Sequence, residues 1–181
     1  MKTSTAAAGF AAALALITGS AAQAESTPST TLELGYTRAQ TTGTNPNYGF
    51  NTVEIRGGYQ FNKNVGAEME AGFGVAPDHV TVQGIGVDVK QDWEYGLFLD
   101  GFLPVGANAD LIGRVGYSAT QLTASAGGFS AAGQGHGAAV GVGFRQFPGG
   151  GKNGWRVDYT HHFYNAGSSA DSFGVAYVRR F

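Results

Sequence analysis

The sequence predicts an all-β fold: eight antiparallel strands, connected up-and-down, closed into a barrel that crosses a membrane. Three observations carry that prediction. The first is the end of the chain, S-F-G-V-A-Y-V-R-R-F over residues 172–181. Side chains alternate with period 2 along a strand, so Phe173, Val175, Tyr177, Arg179 and Phe181 share one face. The chain stops on an aromatic residue, and an unpaired strand end of this kind is an aggregation hazard. Pairing it with the first strand removes the hazard and closes the sheet. The second observation is that such alternation recurs in eight stretches joined by connections that run long, short, long, short, long, short, long. The third is that the face opposite the apolar one carries charges of both signs.

The first residues lie outside the predicted barrel. Lys2 supplies a positive start, residues 6–17 form an apolar run, and Ala22-Gln23-Ala24 is a small-x-small site. An apolar run of this length is too short for a membrane-spanning helix, which needs roughly 20 residues. The segment 1–24 is read as a secretory signal peptide cleaved between Ala24 and Glu25, leaving residues 25–181 as one outward-bound domain. That domain has no cysteine and therefore no disulfide framework. The 30 glycines and 12% aromatic content of the whole chain disfavour helices and suit strands and turns. Charge is mild and unsegregated, which argues against a nucleic-acid partner.

The strands follow in order. In residues 31–37, Leu32, Leu34 and Tyr36 oppose Glu33; residues 39–49, with an Asn-Pro pair, read as a long loop. Residues 50–61 set Val53, Ile55, Tyr59 and Phe61 against Glu54, Arg56 and Gln60, and Asn62-Lys63-Asn64 is a short turn. Residues 65–75 alternate cleanly, with Met69, Ala71 and Phe73 against Glu68, Glu70 and Gly72. An odd-numbered apolar series then runs from Ile85 through Val87, Val89, Trp93, Tyr95, Leu97 and Leu99 to Leu103. It is longer than the roughly 9–11 residues a tilted membrane strand needs. One parity persists along this series, and with Val80 and Val82 before Gly84 it predicts a hairpin extending strands three and four beyond the bilayer. Residues 104–109 form the next short connection. Strand five places Leu111, Val115 and Tyr117 against Asp110 and Arg114, and residues 119–135 are a long loop or a further extension. Strand six opposes Val140, Val142 and Phe144 to Arg145; residues 148–154 turn the chain. Strand seven opposes Trp155, Val157, Tyr159, His161 and Phe163 to Arg156, Asp158, Thr160 and His162.

A soluble barrel alternates as well, with its apolar face inside, so the second face decides. It carries Glu54, Arg56, Glu68, Glu70, Glu94, Asp100, Asp110, Arg114, Arg145, Arg156, Asp158 and Arg180, with glycines between them. Such a ring suits the interior of a lipid-facing barrel, and eight strands leave room only for side chains. Trp93, Tyr95, Trp155, Tyr177 and Phe181 sit where interfacial girdles belong. Even strand number and alternating connection lengths are the outer-membrane layout, short turns periplasmic and long loops outside.

Three segments are similar to the small eight-stranded outer-membrane β-barrel family, porin-like in type: W-R-V-D-Y-T-H-H-F, A-D-S-F-G-V-A-Y-V-R-R-F, and L-P-V-G-A-N-A-D-L-I-G-R-V-G-Y. The closing strand resembles that family's assembly signal in Gly174, Tyr177 and Phe181; Arg179 departs from it, standing where an apolar residue is commoner. The resemblance implies a surface role such as envelope integrity, adhesion or host interaction, and fixes none of them.

Motifs for chemistry are sparse. The tandem glycines lie in strands with no helix to follow, and the Lys152 region lacks the first glycine and the Ser/Thr of a phosphate-binding loop. His161 and His162 point to opposite faces and cannot share a metal; His79 and His136 have no partner spacing. His162-Phe-Tyr164 resembles the strand-seven motif of lipid A deacylase barrels, but Tyr164 occupies the place of the nucleophilic serine. The inward charges read either as the lining of a narrow ion path or as a salt-bridged plug. Near balance of acids and arginines favours the plug.

The expected protein is therefore a non-enzymatic outer-membrane barrel, with any binding capacity in the extracellular hairpins at 76–92 and 119–136. A lipid A deacylase-like hydrolase and a narrow ion-conducting pore are the alternatives. Outer-membrane lipid and lipopolysaccharide, the barrel-assembly machinery and an extracellular ligand are the expected partners. No cofactor, metal or nucleic acid is expected, and the barrel is expected to be a monomer.

Overall fold

The computed structural model describes residues 28–42 and 47–181. The expected cleavage point between Ala24 and Glu25 lies outside the described residues. Nine strands follow in order: β1 (Ser29–Thr42), β2 (Gly49–Gln60), β3 (Val65–Ala76), β4 (Asp78–Val82), β5 (Ile85–Gly106), β6 (Ala109–Ala126), β7 (Phe129–Gln146), β8 (Asn153–Tyr164) and β9 (Ser169–Arg180). All pairings are antiparallel, and β9 returns to β1 from Thr31↔Arg180 to Thr42↔Ser169, closing the ring. Closure leaves no open edge around the ring, which is what lipid demands of a spanning sheet. The nine strands make eight staves, because β3 and β4 are one stave broken at Pro77: both pair with β5. Proline has no amide to give the ladder, so the strand is interrupted there.

The outward face is apolar and exposed, with Leu34, Ile55, Met69, Leu97, Val142 and Phe173 all turned away from the lumen. The core is instead polar: Glu33, Glu54, Arg56, Glu68, Glu70, Arg114, Arg156 and Asp158 are buried inside. This inversion of a soluble barrel follows from lipid being the outer solvent. Aromatic pairs mark the two rims. Trp93 stacks on Tyr95 at 5.3 Å on one side. On the other, Trp155 is paired with Tyr177 in the ladder and lies 5.4 Å from Phe144.

Two expectations need correction, and the choice of loop or extension at residues 119–135 is resolved. Strand one continues through Thr42, so residues 39–42 are strand rather than loop. Residues 119–135 are an extension: β6 and β7 pair without a break from Ala109↔Gln146 to Ala126↔Phe129. The odd parity of strand four does not hold. A β-bulge lies between Gln91 and Trp93, with Asp92 the extra residue against β6. One extra residue reverses the faces beyond it. Below the bulge Trp93, Tyr95 and Leu97 face lipid; above it Val89 and Gln91 are buried inside. Asp92 is anchored by Thr123 Oγ1 at 2.6 Å and Gln121 Nε2 at 3.3 Å. Those bonds, Thr123's foremost, hold its carboxyl, which lies beyond the Trp93 rim, below the ordinary range.

Candidate functional site

The lumen is layered. At the short-turn end, Phe147 is almost fully buried between two arginines, with the Arg180 guanidinium 4.3 Å and that of Arg145 5.2 Å from its ring centre. Arg145 also pairs with Asp110 at 2.8 Å and lies over Phe102. Arg180 donates to the carbonyls of Gly150 and Gly151 in the β7–β8 turn.

The middle layer joins three arginines from β2, β6 and β8 to five carboxylates. Arg56 reaches Asp158 at 2.6 Å, Glu70 at 3.4 Å, Glu33 at 3.9 Å, and also Glu54. Arg114 contacts Glu70 at 2.7 Å and Glu68 at 3.0 Å, and its guanidinium lies 3.5 Å over the Phe98 ring. Arg156, only 1% exposed, contacts Glu68 at 2.5 Å, Asp158 at 3.0 Å and Glu33 at 3.4 Å. The Asp158 contact is through Nε, which makes no aligned hydrogen bond, so it is a charge attraction only. Glu68, Glu70, Glu33 and Asp158 each serve two arginines, so the layer is one network and not a set of pairs.

Not every inward charge joins it. Asp100 is buried beside the network but forms no ion pair among the described residues. The Arg145–Asp110 pair and Arg180 belong to the lower layer, and Glu94 lies above. Tight glycines make the space. A Cβ at Gly174 would come within 2.9 Å of Asp158 Oδ2 and 3.4 Å of Arg56 Nη2. Of the closing-strand positions, then, Gly174 clears the ion network, Tyr177 donates to Asn153 at 2.8 Å on the rim, and Phe181 carries the ladder to Thr30. Arg179 is exposed on the same rim and donates to the same Asn153 oxygen at 2.6 Å.

Above the network the chemistry changes. Gln91 receives a bond from Thr52 and gives one to Glu94 at 2.6 Å, bridging β2 to β5. His162 sits between Ser118 at 2.8 Å and Ser172 at 3.1 Å, and Tyr164 stacks on it. Beyond this floor a vestibule of about 580 Å³ opens outward. The β4–β5 and β6–β7 hairpins continue as a four-stranded wall on one side of it, turning at Gln83-Gly84 and Gly127-Gly128. The first turn takes positive φ at both residues (51° and 83°), the turn that matches strand twist. Val80, Val82, Val87, Val89, Leu122 and Ala124 line the wall's inner face.

Sequence reasoning missed this vestibule because the bulge is silent in the pattern: apolar residues stay odd-numbered across it. It also missed the outward cluster in which Asp171 accepts from Tyr159 at 2.5 Å and lies 2.6 Å from His161. Among the described residues His161 hydrogen-bonds no serine. The candidate His162–Tyr164 pair faces the lumen. No three His, Asp or Glu side chains converge as metal ligands among the described residues.

The family model of the outer membrane protein beta-barrel domain matches residues 8–181. Among solved structures, Ail of Yersinia pestis, crystallised with the heparin analogue sucrose octasulfate, is similar at 15% identity with a TM-score of 0.59, over 86% of this chain and all of that one. Neisserial surface protein A is similar at 10% identity and TM-score 0.64, over 88% of this chain and all of that one. OprG from Pseudomonas aeruginosa is similar at 14% identity and TM-score 0.56, over 84% and 95%. Likeness at these identities speaks for the fold. None of the curated protein sequences matches.

Proposed function

This chain belongs to the outer membrane protein beta-barrel domain family, and from that premise we propose that it is a non-enzymatic surface protein of the outer membrane whose binding capacity lies in its two long hairpins. The observation that supports this reading most is the contrast between a lumen filled by the Arg56–Arg114–Arg156 network and a wall of four strands standing beyond the Trp93 rim. A filled lumen argues against a solute path. Contacts at the tip are available to a partner: Phe129 is 83% exposed.

The hydrolase reading has less behind it. His162 hydrogen-bonds two serines inside the lumen, away from the lipid where an acyl chain would present itself, and Tyr164 stands in the nucleophile's place. Ail's structure holds a polyanion, but the outer face of this wall mixes Lys90 and His79 with Asp88 and Asp92, so a polyanion partner is not favoured here. The reading includes a monomeric barrel in lipid and lipopolysaccharide, delivered after cleavage between Ala24 and Glu25. Its closing strand, with Gly174, Tyr177 and Phe181, would be handed to the assembly machinery.

The test uses an epitope inserted between Gly127 and Gly128. Antibody labelling on intact cells, no steady conductance in planar bilayers and no fatty acid released from lipopolysaccharide are the expected results. Ion-selective single-channel currents, or released acyl chains, would replace the reading with a pore or a hydrolase.

A further inference from the structure

We propose that the extracellular vestibule is a binding site for small cationic amphiphiles, molecules with an aryl or alkyl body and a protonated amine. The site deepens the hairpin reading above: it uses the inner face of the two hairpins and the barrel floor, not the exposed tip at Phe129. Its volume, about 580 Å³, falls within the range of small-molecule pockets. Its sides are apolar: Val80, Val87, Val89 and Leu122 from the wall face Phe50 and Ala170 across the opening. Val87 and Val89 are inside only because the Asp92 bulge turns that part of β5, while Leu122, Phe50 and Ala170 keep the inward alternation of their own strands.

The charge of the occupant follows from the floor. Among the described residues lining the vestibule there is one carboxylate, Glu94, and no lysine or arginine. Glu94 accepts a hydrogen bond from Gln91 and makes no ion pair among the described residues. The three arginines beneath it are already shared among five acids, so the network below is formally two charges negative. An anionic ligand would meet that surplus without compensation. An ammonium group set on Glu94, with the Tyr164 ring lining the same floor, would complete the pairing that a partly buried carboxylate otherwise lacks. The apolar walls then take the rest of the ligand out of water.

The test uses the mature barrel folded in nanodiscs, with empty nanodiscs as the blank. Three probes of similar size are titrated and followed by saturation-transfer NMR: 2-phenylethylamine, neutral 2-phenylethanol and anionic 3-phenylpropanoate. The amine is expected to bind saturably and about tenfold or more tighter than the anion, as a charge-assisted bond implies. Glu94→Gln should remove about tenfold of the amine's affinity and leave the alcohol within about twofold. Leu122→Ser should weaken amine and alcohol alike. Anion and amine binding equally, signal no greater than the blank, or a folded Glu94→Gln protein that keeps full amine affinity would each overturn the proposal. The ranking of probes on the unmutated barrel decides the matter even if Glu94→Gln does not fold.

Discussion

The two halves of the lumen are built on the same staves, yet one is filled by side chains and the other is open. Below Glu94 the inward positions of β2, β3, β6 and β8 carry long charged side chains that meet at the axis. Above it β5 to β7 turn Val87, Val89, Leu122 and Ala131 inward, and none is long enough to reach across. The lower half must be dense because a charge in a barrel this narrow needs a partner within a few ångströms. The upper half stands beyond the membrane, where water can fill what side chains do not. Position relative to the bilayer, more than strand geometry, sets what the interior is made of.

The sharpest way to break that contrast is to remove one charge from the filled half. Arg156→Ala leaves Glu33, Glu68 and Asp158 sharing fewer cations, and should lower unfolding stability by about 3–5 kcal/mol. Leu122→Ala in the open half should cost less than about 1 kcal/mol. Reversible urea unfolding followed by heat-modifiable gel mobility measures both; similar losses would mean the halves are equally packed.

A smaller effect separates two glycines. A Cβ at Gly116 would sit 2.1 Å from the Leu97 carbonyl and 2.6 Å from the Phe98 ring that lies beneath Arg114, whereas one at Gly133 meets nothing within 4 Å. Gly116→Ala should cost about 1–3 kcal/mol by overpacking, and Gly133→Ala should stay within about 0.5 kcal/mol. The same unfolding assay reads both.

Deleting Asp92 probes the boundary itself, with a change of facing and little change in stability. Without the extra residue the segment above should slip by one and turn Val89 outward. A Val89→Cys reporter, slow toward a water-soluble maleimide in the parent, should become fast in the deletion. Unchanged labelling would mean the bulge does not set the facing.

The smallest effect is expected at the periplasmic rim. Arg179 reaches Asn153 and is exposed, so Arg179→Leu should shift stability by less than about 1 kcal/mol, the interfacial figure for arginine. A gain of several kcal/mol would place it deep in lipid.

Most of the lower half was legible in the sequence. Strict alternation from Val65 to Val75 and from Trp155 to Phe163 identifies which side chains share a face, and lipid outside decides which face is inward. Which charges meet was not legible, since Arg114 on β6 finds Glu68 and Glu70 across the lumen through barrel curvature. The bulge was hidden for a different reason. Periodicity reports that Val87, Val89, Trp93 and Tyr95 recur at odd positions; it does not report the side they face when apolar residues serve lipid below and a cavity above. Pro77 was the available hint, a break in stave three opposite the irregular stretch of stave four.

The seam between β1 and β9 has a consequence for how the barrel comes into being. Other strand pairs are hairpin neighbours, or β3 with β5 across the short β4, whereas Thr31↔Arg180 joins the two ends of the folded chain. Closing a long loop is entropically slow, and rates fall as contacts become more distant in sequence. The hairpins can zip as the chain arrives, but the ring stays an open ribbon with two raw margins until its final residues are delivered. Any process that stalls before Phe181 therefore leaves a sheet ready to recruit a stranger's strand, and the pairing of β9 with β1 is the step that removes both margins.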